Sequence, residues 1–391
     1  MKPGWTRQPI AALARHNLGK MLDQAKNRGD MKPYLRNLNV RWFDFDLTDV
    51  LQMRFEAHEV ERYTVRKGDL VICEGGYPGR AAVWNEDEPV YFQKALHRVR
   101  FYEPAYAQWC LYYLLYEDAA GKLKLHFNGT GIQHFTGETL ARFEIPAPSA
   151  SEVTRIVAIL DEAFEAIATA KANTQKNLQN ARELFDNFMH TLLSMTGPDW
   201  TERTLQEVCK ISSKLVDPRE PEYIDMSHVG AGNIESRSGE LVHVLTAREE
   251  QLISGKFLFD DSAVLYSKIR PYLMKVVRPA FSGLCSADIY PLVPKSGRID
   301  RDYLYYLLLS RSFTEYAIKG SARAGMPKVN REHLFAYRTS LPPIEVQSRH
   351  AGRLDALTFA TQRLTEICDV RLAALDELKQ SLLHQAFTGA L

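Results

Sequence analysis

Three short runs carry residue types that could support covalent chemistry, and each lacks part of what that chemistry needs. Asp217-Pro218-Arg219 begins like the acidic-Pro-Pro loop that holds an exocyclic amine for methyl transfer, but it has neither the second proline nor the aromatic neighbour. Gly230-Ala231-Gly232-Asn233-Ile234-Glu235 has two of the glycines of a dinucleotide-type loop and not the third, which fits a turn better than a cofactor cradle. Glu377-Leu378-Lys379 has the carboxylate–lysine spacing of a metal-dependent nuclease, yet it lies mid-seam on a helical pattern. No Ser/His/Asp or Cys/His arrangement and no metal-ligand spacing stands out. The five cysteines, Cys73, Cys110, Cys209, Cys285 and Cys368, are scattered and show no CxxC, which implies a reducing, cytoplasmic setting without disulfides or structural zinc.

What remains is charge that could attract phosphate. The chain of 391 residues has a net charge of only +1, but residues 1–42 hold nine Lys/Arg against Asp23 and Asp30. Residues 268–278 hold Lys268, Arg270, Lys275 and Arg278 without an acid. Such local clusters can bind nucleic acid even when the whole chain is close to neutral. At 45% hydrophobic and 25% charged residues, the composition is that of an ordinary globular protein. No run approaches the roughly 18 apolar residues of a membrane span, and the N-terminus has no signal-peptide core.

These clusters must be positioned by the elements around them, and those elements occur twice. Trp5-Thr6 is matched by Trp200-Thr201, Leu160-Asp161 by Leu354-Asp355, and Glu183-Leu184 by Glu377-Leu378, at offsets of 194 or 195. Residues 151–193 predict one long helix, with Leu160, Phe164, Ile167, Leu178, Ala181, Phe185, Phe188 and Leu192 in alternating steps of four and three, interrupted at Lys171 and Thr174. Ser149 or Ser151 caps its start and Gly197-Pro198 stops it. Residues 344–387 predict a second, with Leu354, Leu357, Leu364, Cys368, Leu375, Leu378 and Leu382 on the seam. At 1.5 Å per residue each would be roughly 60 Å long.

The expected organisation is therefore a globular domain over 1–148, a long helix over 149–195, a second globular domain over 196–343 and a second long helix over 344–391. The fold class is α+β, with an internal pseudo-two-fold repeat. Helices of matching length and register are expected to pair antiparallel as a coiled coil, with the domains apart. Strands are expected at Asp69–Cys73, Ala81–Trp84, Val99–Phe101, Ala263–Ser267, Lys275–Val277 and Ile289–Val293, and helices at Ala105–Tyr116 and Asp302–Ser312. Trp5 and Trp200 are read as core anchors, and His97, His190 and His384 as packing or surface residues.

Gly129-Thr130-Gly131-Ile132-Gln133-His134-Phe135 leads through Leu140 to Ile145-Pro146-Ala147-Pro148. Gly320-Ser321-Ala322-Arg323-Ala324-Gly325-Met326-Pro327-Lys328-Val329 leads through Leu334 to Leu341-Pro342-Pro343-Ile344-Glu345-Val346-Gln347. With Gly75-Gly76-Tyr77-Pro78-Gly79-Arg80-Ala81-Ala82-Val83-Trp84, this order strongly resembles the target-recognition domains of type I restriction–modification specificity (S) subunits. The resemblance covers the whole chain, as domain, helix, domain, helix. It implies a non-catalytic subunit that binds double-stranded DNA, reads one half of a split asymmetric site with each domain, and recruits two methyltransferase subunits, with restriction subunits as further partners. The helices would be the spacer. S-adenosylmethionine, and ATP in the restriction complex, would be bound by partner subunits, leaving no cofactor and no metal in this chain.

Contacts to phosphate need Lys/Arg, hydroxyls or close backbone NH groups, and base edges need Arg, Lys, Asn, Gln, Ser or Thr. By residue type and by the resemblance of the Gly-rich loops to DNA-facing ones, Lys32, Arg36, Arg80, Thr130, Gln133 and His134 are expected to touch DNA in the first domain. In the second they are Lys268, Arg270, Tyr272, Arg323 and Lys328. Two other readings stay open on the sequence alone: an enzyme with its own methyltransferase or nuclease site, and a coiled-coil adaptor that grips proteins.

Overall fold

The structure, a computed structural model, describes every residue except Met1, Pro3, Gln24 and 322–325. The chain forms two units, Met1–Thr174 with Asp369–Leu391, and Gln175–Cys368.

In the first unit, strand Thr6–Pro9 pairs antiparallel with Glu144–Ala147, which ties the start of the globular part to its end. Pro9 and Pro146 are tolerated because both strands of this two-stranded ribbon are edge strands. A four-stranded sheet follows, in the order Ala14–Leu18, Leu96–Phe101, Leu70–Cys73, Ala81–Val83, antiparallel throughout. Of its two inner strands, Leu70–Cys73 is a continuous apolar run because both of its faces are buried. Leu70 and Ile72 join the core that includes Trp109, Tyr112 and Leu160. Val71 and Cys73 face the other way, onto Leu35, Val65 and Phe92. Those last three belong to a second sheet, ordered Leu51–Phe55, Asp30–Leu35, Val90–Phe92, Thr64–Val65, in which the middle pair is parallel.

The second unit repeats this plan. Thr201–Thr204 pairs with Arg338–Leu341, and a four-stranded sheet runs Cys209–Ile211, Ile289–Pro294, Val264–Ser267, Val276–Val277. Its second sheet runs Leu245–Thr246, Ser227–Val229, Gly283–Cys285, Lys256–Phe259, again with a parallel middle pair. It adds one edge strand, Leu215–Val216, that the first unit lacks among its described residues. The internal repeat read from the sequence is therefore a repeat of strand order.

The helix expected over Asp302–Ser312 is two helices, Arg301–Leu309 and Arg311–Lys319. Ser310 breaks it: its backbone is extended and its hydroxyl accepts from the Phe313 N–H at 3.2 Å, so it caps a new helix instead of continuing the old one. Trp5 is a core residue, whereas Trp200 is only half-buried, its ring 6.3 Å from that of His350. His97 is fully buried, and His190 and His384 are exposed.

The long helices are Ala150–Ser194 and Ile344–Thr388, of 45 residues each. Ser149 caps the first, accepting from the Glu152 N–H at 3.3 Å. Within the first unit they run antiparallel. Lys171 pairs with Asp376, and Arg155 donates to the carbonyl of Leu391 at 2.9 Å. Ile156 and Leu160 share a core with Leu383, Ala386 and Phe387. The second helix departs from the expected seam at one place. Leu378 is 47% exposed, and Lys379 takes the inward position with its ammonium 4.7 Å over the Phe164 ring. A lysine can do this because its stem packs as hydrocarbon while its head sits on an aromatic face. Burial lowers its pKa.

The matched Leu160-Asp161 and Leu354-Asp355 are the points where each globular part grips its helix. Tyr112 donates to Asp161 at 2.7 Å, and Tyr306 donates to Asp355 at 2.7 Å. Leu160 and Leu354 beside them are fully buried. All five cysteines are buried and free, and no helix among the described residues is long and apolar enough to cross a membrane.

Candidate nucleic-acid interface

In the first unit the candidate side chains gather around the loop 74–80, which joins Leu70–Cys73 to Ala81–Val83. Gly76 and Gly79 hold φ values of 81° and 84°, where a side chain would be strained, and a Cβ on Gly79 would lie 2.4 Å from Leu123. The turn closes through Gly79 N–H to Cys73 O at 2.9 Å and Cys73 N–H to Arg80 O at 2.8 Å. Arg80 donates to the carbonyl of Asn37 at 3.0 Å and lies 5.1 Å over Tyr77, with its Nε buried and unpartnered. It thereby ties this loop to the end of the parallel strand Asp30–Leu35.

The Gly-rich loop 128–134 is closed by two reciprocal hydrogen bonds between Asn128 and His134, both 2.9 Å. Thr130 and Gln133 are exposed on it, as is Ile132 at 76%. The loop docks on 74–80 through the Phe135 N–H, which donates to Glu74 O at 2.7 Å, and through His134 Nδ1 to Glu74 Oε2 at 3.0 Å. Arg80, Thr130, Gln133 and His134 are thus on two joined loops. Arg36 adjoins them in sequence at Asn37, but its guanidinium is held by Asp49 at 2.6 Å. Lys32 lies on strand Asp30–Leu35, 3.7 Å from Asp30, and bonds to neither loop.

The second unit builds the same frame from different residues. Loop 268–275 joins Val264–Ser267 to Val276–Val277. Arg270 and Met274 occupy the left-handed region, with φ of 49° and 51°, where the first unit uses glycines. The Val329 N–H donates to Lys268 O at 2.8 Å, as Phe135 does to Glu74, and the Arg270 N–H donates to Pro327 O at 2.9 Å. Lys275 donates to Ala231 O at 2.7 Å, the counterpart of Arg80 on Asn37. Beneath each loop a side chain from the neighbouring sheet strand completes the frame. His97 donates Nε2–H to Phe135 O at 2.7 Å, and Tyr290 donates to Val329 O at 3.2 Å.

Lys268, Arg270, Tyr272 and Lys328 come together on this frame. Lys268 lies 5.1 Å over the Tyr290 ring, and its pKa is lowered, first by burial and then by the charge of Lys328. Lys328 is 3.7 Å from Asp288. Arg270 is exposed and has no ion-pair partner among the described residues, and Tyr272 is 51% exposed. Arg323 lies outside the described residues. The sequence reading missed Arg331, exposed in the first turn of helix Arg331–Phe335, whose charge reaches Lys268. The basic run Lys328-Val329-Asn330-Arg331 was the available signal. Both sets offer side chains and main-chain NH groups that suit phosphate and base edges. The carboxylate–imidazole group Glu56, His58 and Glu59 lies at the surface, with Glu59 already paired to Lys20 at 2.5 Å.

Comparison with known proteins agrees with this double frame. The family model described as the type I restriction modification DNA specificity domain matches twice, over residues 17–180 and 198–368. The chain is similar to the Type I restriction enzyme EcoDI specificity subunit of Escherichia coli, 26% identical over 330 residues, covering 76% of this chain and 73% of that one. It is also similar to the Type I restriction enzyme MjaVIII specificity subunit of Methanocaldococcus jannaschii, 23% identical, covering 68% of this chain and 66% of that one. In fold it resembles a solved chain from work on complex assembly and conformational transition of the type I R-M system, with a TM-score of 0.75 at 16% identity over 100% of this chain and 99% of that one. The HsdS subunit of Thermoanaerobacter tengcongensis gives 0.63 at 18% identity over 100% and 98%. Two matches to one specificity domain, on two units with one strand order, place the chain in the family of type I restriction–modification specificity subunits, the non-catalytic members of those systems.

Proposed function

We propose that this chain reads a bipartite, asymmetric DNA target, one half-site with each of the domains 1–148 and 196–343. The observation that carries this reading is the doubled loop frame. Phe135 on Glu74 and Val329 on Lys268 are the same main-chain bond, yet the side chains around them differ in charge and hydrogen-bonding capacity. A shared frame with unlike side chains is what two reading heads for two different sequences require. Thr130, Gln133 and His134 on one side, and Lys268, Arg270, Tyr272 and Lys328 on the other, are the DNA contacts. Arg80 braces the loop beneath the first set from behind, and Arg36 and Lys32 add phosphate contacts. Arg323 joins the second set by its place in the sequence.

The same reading assigns the segments 149–195 and 344–391 to spacing the half-sites and to docking two methyltransferase subunits, with restriction subunits as further partners. S-adenosylmethionine and ATP belong to those partners. Apolar side chains left exposed on the helices support a docking role: Val370 at 71% in the first unit, and Leu184 at 61% and Phe359 at 66% in the second. The complex works in the cytoplasm, in keeping with five free thiols.

An electrophoretic shift with random duplex, measured across salt with the methyltransferase partner present, tests DNA binding. Log affinity should fall linearly with log salt, by about 0.9 per neutralised phosphate. A salt-insensitive or absent shift points instead to a protein-gripping adaptor. Exchanging residues 1–148 for another recognition domain should then change one half of the methylated motif and leave the other intact.

A further inference from the structure

The two loop frames correspond residue by residue through their hydrogen bonds to main-chain carbonyls. Phe135 N–H on Glu74 O corresponds to Val329 N–H on Lys268 O. His97 on Phe135 O corresponds to Tyr290 on Val329 O. Arg80 on Asn37 O corresponds to Lys275 on Ala231 O. With the frame so matched, Glu74 occupies the place of Lys268, and His134 the place of Lys328.

The chemistry at that place is opposite in the two units. In the first, Glu74 and His134 hold each other at 3.0 Å through Oε2 and Nδ1. Their side chains are 18% and 42% exposed, and among the described residues Glu74 Oε1 and His134 Nε2 carry no other hydrogen bond. A carboxylate oxygen braced by an imidazole is an acceptor set at a defined angle. In the second unit, Lys268 and Lys328 bring two ammonium groups to the same place, with Asp288, 3.7 Å from Lys328, as the carboxylate beside them. Two cations beside one anion, with the exposed Arg270 on the same loop, leave an excess of positive charge that an incoming oxygen acceptor would relieve.

We infer that residues 74 and 134, and their counterparts 268 and 328, are where the two units part in what they accept from DNA: Glu74 with His134 takes an exocyclic amino group of adenine or cytosine, and Lys268 with Lys328 takes an acceptor oxygen, on guanine or on phosphate. This rests on the DNA-reading function proposed above. Carboxylates accept from a base amino group, and lysines bond guanine O6/N7 or pair with phosphate.

The test uses the full chain with its methyltransferase subunits, with methylated sites mapped by sequencing and duplex binding followed across salt. The E74Q variant keeps the side-chain volume and adds a donor. Because glutamine accepts and donates, a cytosine position should relax, with discrimination there falling roughly 5- to 150-fold, whereas an adenine position should keep its base and gain affinity through the second bond of the amide. Which of the two outcomes occurs identifies cytosine or adenine. The K268Q/K328Q variant has two supporting outcomes. A relaxed position in the other half with an unchanged salt slope means guanine. A uniform loss of affinity with a slope shallower by about 1.8 means phosphate. E74K/H134K should install an acceptor preference in the first half-site.

If variants with the wild-type unfolding midpoint leave motif, affinity and slope unchanged, or if E74Q alters both halves, the inference is overturned. Where E74K/H134K does not fold, the isosteric E74Q decides alone. If the wild-type assembly methylates no bipartite motif, the proposed function itself fails, independently of any variant.

Discussion

The two units share a strand order and differ in how they hold and dress it. In the first, glycines at 76 and 79 supply the left-handed turns of the loop after the central strand; in the second, Arg270 and Met274 adopt the same region. A non-glycine residue there costs of the order of 1 kcal/mol or more, and persists only when the surroundings over-determine it. The Pro327 carbonyl on the Arg270 N–H and the Lys268–Val329 bond supply that restraint. The second unit thus keeps an arginine at a position where the first keeps backbone freedom. The helix grips differ in the same sense. Gln108 adds a bond of 3.2 Å to Asp161, whereas Arg278 pairs with Asp355 and with Asp302 at 2.8 Å.

The largest test of this equivalence is at the grip itself. Leu160→Ala and Leu354→Ala each empty a fully buried site, and each should cost about 2–5 kcal/mol in urea unfolding. A clear loss from one and none from the other would mean that only one unit depends on its helix.

Next in size is the charged grip. Arg278→Met should cost about 1–2 kcal/mol, at the low end for charged hydrogen bonds because Arg278 and both acids remain partly solvated. Gln108→Ala should cost less than about 1 kcal/mol. A reversal of that order would show that the ion pair contributes no more than the amide.

A third test separates His97 from Tyr290, which do one task with unlike proton affinities. Burial lowers the His97 pKa below its unfolded value, although the Phe135 carbonyl and Glu74 oppose the shift. The unfolded chain therefore takes up the proton first as pH falls. His97 contributes its full stability above about pH 6.5 and loses it as acid carries the pH down toward the folded value. His97→Gln, which keeps a donor for Phe135 O, should flatten the fall in melting temperature between about pH 7 and 5. An unchanged slope would assign the acid sensitivity elsewhere.

The smallest effect is expected at Leu378→Gln, within about 0.5 kcal/mol, because that leucine is 47% exposed. A loss of several kcal/mol would restore Leu378 to the seam.

Much of the architecture was legible because it rests on periodicity and breakers. Strands such as Leu70–Cys73 and Ile289–Pro294 appear where apolar runs end in turns, and both long helices begin after Ser149 or Pro343 as the caps and prolines require. Ser310 was not legible, since an apolar pattern runs through it and only the hydroxyl bond to Phe313 reveals the break. Lys379 displaced Leu378 because composition ranks leucine as the inner residue, while the rings of Phe43 and Phe164 make that groove hospitable to a cation. At the candidate interface, residue type led to loops that the fold joins but could not tell Arg80, turned inward onto Asn37, from Arg270, turned out to water. Direction is a tertiary property, set by partners distant in sequence.

The bond from Phe135 to Glu74, like that from Val329 to Lys268, joins peptide groups and is indifferent to the side chains attached to them. Glu74 and Lys268, unlike the buried Phe135 and Val329, can therefore change without unravelling the scaffold, so that a descendant inherits an intact clasp together with altered side chains. On the proposed bipartite reading, one half of a target drifts in this way while its companion stays legible to the cell that carries both.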